Sequence, residues 1–146
     1  VREIIGNNSN LISKIESIKG VLNLGVILPV VDQILIDRGD LSREVSIEKI
    51  PFIQRRIISY ARSKDTPVYV ATNLLESMIK SASPTRAEAN DVASTLLMGA
   101  SGLVLAAETA IGDHPIGSVE MINLIIKQYN RWTTESSFND IIFQDD

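Results

Sequence analysis

The sequence predicts an α/β fold of parallel β/α repeats, and three observations lead there. Short runs rich in β-branched residues alternate with longer runs whose apolar residues recur at helical spacing; such alternation folds as a parallel sheet with right-handed crossovers. The candidate strands are apolar along most of their length, as strands covered on both faces must be. The 146 residues, 45% hydrophobic and 22% charged, have globular composition and suffice for one core. They fall short of the roughly 200 residues of a complete eight-stranded β/α barrel. An open doubly wound sheet is the alternative, although no glycine-rich nucleotide fingerprint follows the first strand.

The elements follow in order. After the turn-like stretch 6–10, residues 11–16 (LISKIE) form the first strand. Residues 18–28 read as a helix ended by Pro29. Residues 33–37 (QILID) are the second strand, closed by a turn at Arg38-Gly39-Asp40. In 46–62, Ile50, Ile53, Ile57, Ile58 and Ala61 keep a helical period, and Pro51 suits its first turn. Pro67 introduces the third strand, 68–72 (VYVAT), and a helical turn is expected over 74–79. Thr85 and Glu88 form a T-x-x-E capping box for a helix running to about residue 98, with Gly99 just past its end. Residues 103–107 are the fourth strand, 112–115 a loop and 118–129 the last helix. The organisation expected is a domain of four β/α units over 1–132 and a polar, acidic tail over 133–146.

Composition excludes several functions. Fourteen basic against eighteen acidic residues give a net charge of −4, which argues against nucleic-acid binding and a polybasic membrane anchor. Without cysteine there is no disulfide, thiolate nucleophile or cysteine-held metal, which fits a reducing compartment. One histidine, His114, cannot build a histidine-rich metal site, and its loop position reads as solvated. No apolar run reaches the ~20 residues of a membrane span, and no secretion signal follows Val1. Met78, Met98 and Met121 read as core fillers, Arg55-Arg56 as a solvated helix face, and Trp132 with Ile141 to Phe143 as packing.

Sites in α/β folds lie at the carboxyl ends of the strands. The first end gives Lys14 and Glu16, two apart and therefore on one face. The second gives Arg38-Gly39-Asp40, the third Thr72-Asn73 and the fourth Glu108-Thr109. Two carboxylates with water suit Mg²⁺, and a nearby ammonium can stabilise charge developing on a substrate oxygen. A plain Lys14–Glu16 ion pair with Asp40 as a turn cap is the structural alternative.

The series Ser13-Lys14-Ile15-Glu16, Arg38-Gly39-Asp40-Leu41, the ATNLLESMI run at 71–79, Pro84-Thr85-Arg86-Ala87-Glu88 and the ETAIGDHP run at 108–115 resembles the pyruvate kinase family in order and spacing, from Val1 to about Arg131. The resemblance implies part of a TIM (β/α)₈ barrel, its fifth to eighth strands. It implies catalytic roles for Lys14, on the enolate, and Thr72, beside the substrate. It implies a Mg²⁺ (or Mn²⁺) site at Glu16 and Asp40, and substrate contacts from the segment Asp37, Arg38, Gly39, Asp40 with Thr72. The parent reaction moves a phosphoryl group between phosphoenolpyruvate and ADP in glycolysis. The family's K⁺ site and most nucleotide contacts belong to segments before the fifth strand. The segment 84–88 resembles a region near the family's subunit interface. A small-molecule substrate, a missing barrel half or self-association in an oligomer, and a cytoplasmic (in a plant, plastid stroma) setting are the partners and place expected.

The chain departs from the family pattern at Asp37, where alanine is usual, and at Ser17, Ser42, Asn73, Ala106 and Ala107. Asp37 adds a carboxylate where substrate sits. The resemblance therefore leaves three functional expectations: a barrel segment of the parent kinase, inactive alone; a non-catalytic assembly or sensing domain; or a Mg²⁺-dependent lyase working through a pyruvate enolate.

Overall fold

A computed structural model of the chain describes residues 1–6 and 8–143. Asn7 of the expected 6–10 turn and residues 144–146 of the expected tail lie outside the described residues. Four strands, β1 (Ile12–Ile15), β2 (Gln33–Asp37), β3 (Val68–Ala71) and β4 (Gly102–Val104), form one parallel sheet in the order β1-β2-β3-β4. Consecutive order decides between the two expected architectures. Right-handed crossovers repeated in one direction lay every connection on the same face, whereas a doubly wound sheet must reverse its order. The burial agrees: Ile15, Ile34, Ile36, Val68 and Val70 point to one face and are fully buried. The other face carries exposed Lys14 and Ile12 and partly accessible Leu35, Tyr69 and Val104; Asp37 and Ala71, at the strand ends of that face, are buried.

The helices are α1 (Arg2–Ile5), α2 (Ile18–Leu22), α3 (Leu24–Ile27), α4 (Arg38–Glu44), α5 (Ile50–Arg62), α6 (Arg86–Leu97), α7 (Ala107–Ala110), α8 (Pro115–Arg131) and α9 (Phe138–Phe143). Short 3₁₀ turns span Leu28–Val30, Ile47–Lys49 and Glu76–Ile79. Leu24, Leu28, Ile57, Ile58 and Ala61 cover the buried face of the sheet. Leu74, Leu75, Met78, Val92, Leu96 and Ile122 form a second cluster, with Met121 packed on it.

Several expected elements are corrected. The helix expected over 18–28 breaks at Asn23, whose side-chain amide donates to the Lys19 carbonyl at 2.8 Å. Pro29 lies inside a 3₁₀ turn and does not end the helix. The expected turn at 38–40 is the first turn of α4, capped by Asp37. The helix expected from 46 begins as a 3₁₀ turn, and α5 proper starts at Ile50 with Pro51 in its first turn. The turn expected over 74–79 is a 3₁₀ helix over Glu76–Ile79. The fourth strand, expected over 103–107, is Gly102–Val104, and Ala107 opens α7. There the Ala106 N–H donates to the Glu108 carboxylate at 2.8 Å, which takes it out of a strand ladder. The last helix starts at Pro115, where the missing N–H costs nothing, and the tail contains α9. The capping box is present in both directions, and Gly99 follows α6 at φ 96, a conformation that favours glycine. Gly102 faces Tyr69 across the β3–β4 pair, and a Cβ there would lie 2.5 Å from the ring.

Candidate active site at the carboxyl ends of the strands

Lys14, near the end of β1, places its ammonium 2.7 Å from Glu16 Oε2, 2.7 Å from Asp37 Oδ2 and 3.2 Å from Asp40 Oδ2. Those hydrogen bonds, the one to Asp37 foremost, hold the Lys14 pKa above the ordinary lysine range. Glu16 and Asp40 are partly exposed, and Asp40 Oδ1 also pairs with Arg43 at 3.2 Å. Glu16, Asp37 and Asp40 each offer a carboxylate oxygen within 4.8 Å of the others. Three carboxylates facing one ammonium leave this rim net negative. Hard oxygen donors so grouped fit the needs of Mg²⁺ or Mn²⁺.

Asp37 is 7% exposed. Its Oδ1 accepts from the N–H groups of Gly39 (3.1 Å) and Asp40 (3.3 Å), both in the first turn of α4. The Thr72 hydroxyl lies 3.0 Å from the same oxygen and also reaches the Ala71 carbonyl, while Gly39 N–H donates to it at 2.8 Å. Burial alone would raise the Asp37 pKa; hydrogen bonds from Lys14, Asp40 N–H and Thr72 outweigh it and hold the carboxyl below its ordinary 3.8.

Thr72 and Asn73 adopt φ of 69° and 54°. A β-branched residue in the left-handed region is strained, at a cost of order 1–3 kcal/mol. Arg38 offsets it. The guanidinium donates to the Thr72 carbonyl at 3.1 and 2.8 Å and to the Asn73 carbonyl at 2.9 Å, and pairs with Asp91 of α6 at 2.6 Å. The Arg38 side chain therefore faces the β3–α6 side, and it is Gly39 and Asp40 whose backbone N–H groups face the rim. Ser42, another departure from the family pattern, donates to the Gly39 carbonyl at 2.8 Å.

Glu108, expected at the rim, is buried, and its two oxygens accept from the N–H groups of Leu75 (3.0 Å) and Ala106 (2.8 Å). Thr109 donates to the Ala106 carbonyl. His114 precedes α8, and its carbonyl accepts from Ser118. Two features were not read from the sequence. Asp91 as the partner of Arg38 had no local signal. Asp37 as an N-cap had one, an aspartate directly before a glycine-bearing turn.

The family model described as "Pyruvate kinase, barrel domain" matches residues 1–119. The chain belongs to the pyruvate kinase family. It is similar to the pyruvate kinase of Dictyostelium discoideum, 45% identical over 131 residues that make up 88% of this chain and 26% of that protein. It is also similar to the pyruvate kinase of Thermotoga maritima, at 42% identity over 84% of this chain and 26% of the relative. A solved pyruvate kinase structure from Cryptosporidium parvum superposes with a TM-score of 0.82 and 41% identity, over 84% of this chain and 25% of that one. The chain spans about a quarter of the length of the curated relatives it matches. The four strands are thus a segment of a pyruvate kinase barrel, as the fold expectation had it. Among the described residues no helix is long and apolar enough to cross a membrane.

Proposed function

We propose that this chain carries the metal and enolate side of a pyruvate kinase site, whose parent reaction transfers a phosphoryl group between phosphoenolpyruvate and ADP. The observation that carries the reading is the convergence of Lys14 with Glu16, Asp37 and Asp40 at the strand ends of a pyruvate kinase barrel segment. Glu16 and Asp40 hold a Mg²⁺ or Mn²⁺ ion, which when bound supplies charge neutralisation to an anionic substrate. The Lys14 ammonium balances the negative charge that builds on the substrate's enol oxygen. The Thr72 hydroxyl and the backbone N–H groups of Gly39 and Asp40 orient the substrate, and Arg38 holds Thr72 in place. Phosphoryl transfer also needs nucleotide positioning, so these 146 residues alone do not form ATP. A cytoplasmic setting and assembly with further barrel segments or with copies of itself go with the reading.

A non-catalytic role is the second reading. Asp37 favours it, because its carboxylate already engages Lys14, Thr72 and two backbone N–H groups of the rim. Mn²⁺ titration followed by water-proton relaxation tests the metal assignment. Weak, saturable binding that is lost in Glu16→Gln and in Asp40→Asn is expected. Variants that titrate like the unaltered chain would overturn it.

A further inference from the structure

Lys14 stands between the two carboxylates proposed to hold the metal. Its ammonium lies 2.7 Å from Glu16 Oε2 and 3.2 Å from Asp40 Oδ2. Those contacts alone would hold it loosely, because all three side chains are well exposed and exposed ion pairs are weak. Asp37 supplies what they lack. Its side chain is 10% exposed, and its Oδ2 lies 2.7 Å from the same ammonium. Its other oxygen is occupied: Oδ1 accepts from the N–H groups of Gly39 and Asp40 and meets the Thr72 hydroxyl. The carboxylate is thereby fixed with Oδ2 toward Lys14. Asp37 is also one of the chain's departures from the family pattern. A divalent ion held by Glu16 and Asp40 takes carboxylate oxygens at about 2.0–2.6 Å. The ammonium already fills the gap between these two carboxylates, and two cations in one gap repel.

We infer that Asp37 is a positioning residue that holds the Lys14 ammonium in the metal's place between Glu16 and Asp40, so that a divalent ion enters only as the ammonium leaves. The inference rests on the proposed function for the metal site and deepens it to an exchange of a built-in monovalent cation for a divalent one. Charge favours the exchange. Glu16, Asp37 and Asp40 set three negative charges against the one positive charge of Lys14, a surplus that a divalent ion offsets better than an ammonium. The displaced ammonium stays tethered to β1 and is released to face an anionic substrate. Arg43 is the control. It pairs with Asp40 Oδ1 at 3.2 Å, but its side chain is 81% exposed and its charge is screened by water and salt.

The test measures Mn²⁺ affinity by water-proton relaxation in the unaltered chain, Lys14→Met, Asp37→Asn, the double variant and Arg43→Met. Asp37→Asn keeps an oxygen for the two N–H groups of the cap and removes the charge that anchors Lys14. With Asp37 present, Lys14→Met is expected to tighten Mn²⁺ binding at least about tenfold. In the Asp37→Asn background the same change is expected to tighten it less than about threefold, as is Arg43→Met alone. Equal tightening in both backgrounds, or tightening by Arg43→Met as large as by Lys14→Met, would overturn the inference. A second readout needs no variant. In the unaltered chain the Lys14 Hε–Cε NMR correlation is expected to move saturably with Mg²⁺ toward that of the exposed Lys49. A Lys14 correlation unmoved at saturating Mg²⁺ would overturn the inference and leave the metal assignment standing. Absence of Mn²⁺ binding in all five chains would overturn both.

Discussion

Asp37 ends β2 and Glu108 follows β4, and both carboxylates are buried, yet they are answered differently. Both oxygens of Glu108 accept from backbone N–H groups, Leu75 after β3 and Ala106 after β4. Its charge fastens two loops together and faces no cation in those contacts. Asp37 is answered by an ammonium and a hydroxyl as well as by backbone. A carboxylate matched only by amides is a structural rivet. One matched also by Lys14 and Thr72, from the ends of β1 and β3, ties side chains of three strands together. That difference separates a buried anchor from the candidate site.

The comparison breaks most visibly at Glu108. Glu108→Ala strands two N–H groups in the interior and opens a cavity, and is expected to lower stability by about 3 kcal/mol or more in urea denaturation. A cost below about 1 kcal/mol would show that Glu108 is no rivet. Arg38→Met comes next. It leaves the Thr72 and Asn73 carbonyls and Asp91 without their donor, for an expected loss of about 2 kcal/mol by the same measurement. Thr72→Gly in that background is expected to recover part of the loss, because glycine adopts φ near 69° without strain. Strict additivity of the two changes would separate Arg38 from the strained turn.

The smallest effect concerns Glu88. Burial alone would raise its pKa, but hydrogen bonds from Ser77 and Thr85 outweigh burial and hold it below the ordinary 4.5. A depressed folded-state value means that Glu88 contributes its stability above the unfolded-state pKa and loses it as pH falls through the folded one. The urea midpoint should therefore fall on acidification below about pH 4.5. Glu88→Gln should flatten that slope while leaving the capping box partly intact. An unchanged slope in the variant would remove Glu88 from the acid response.

Much of the scaffold was legible because it rests on local pattern. Val68 to Ala71 declares a strand by β-branching, and Thr85 with Glu88 declares the start of α6 by chemistry within one turn. Lys14 and Glu16 do meet, at 2.7 Å, although β1 ends at Ile15 and Glu16 lies just past the expected strand period, and the carboxylates of Glu16 and Asp40 do approach one another. The remainder depends on distant partners. α4 contains Gly39 and buries only Leu41, so it shows no helical period, and its identity comes from the Asp37 cap. The outward turn of Arg38 requires the left-handed carbonyls at 72 and 73 and the carboxylate of Asp91, which come from other elements. Glu108 reads as a rim residue by type, because few glutamates are buried. Only the two N–H groups that receive it explain its place.

The consecutive strand order carries a kinetic consequence. Residues paired across the sheet are about 20–35 positions apart in every case, as in Ile12 with Gln33, Ile34 with Val68 and Tyr69 with Gly102. The entropy of closing a loop grows only with the logarithm of its length, so the three pairings face nearly equal barriers. None must wait for the chain ends to meet. Assembly can nucleate at any neighbouring pair and zip outward in either direction, much as in a stack of repeats.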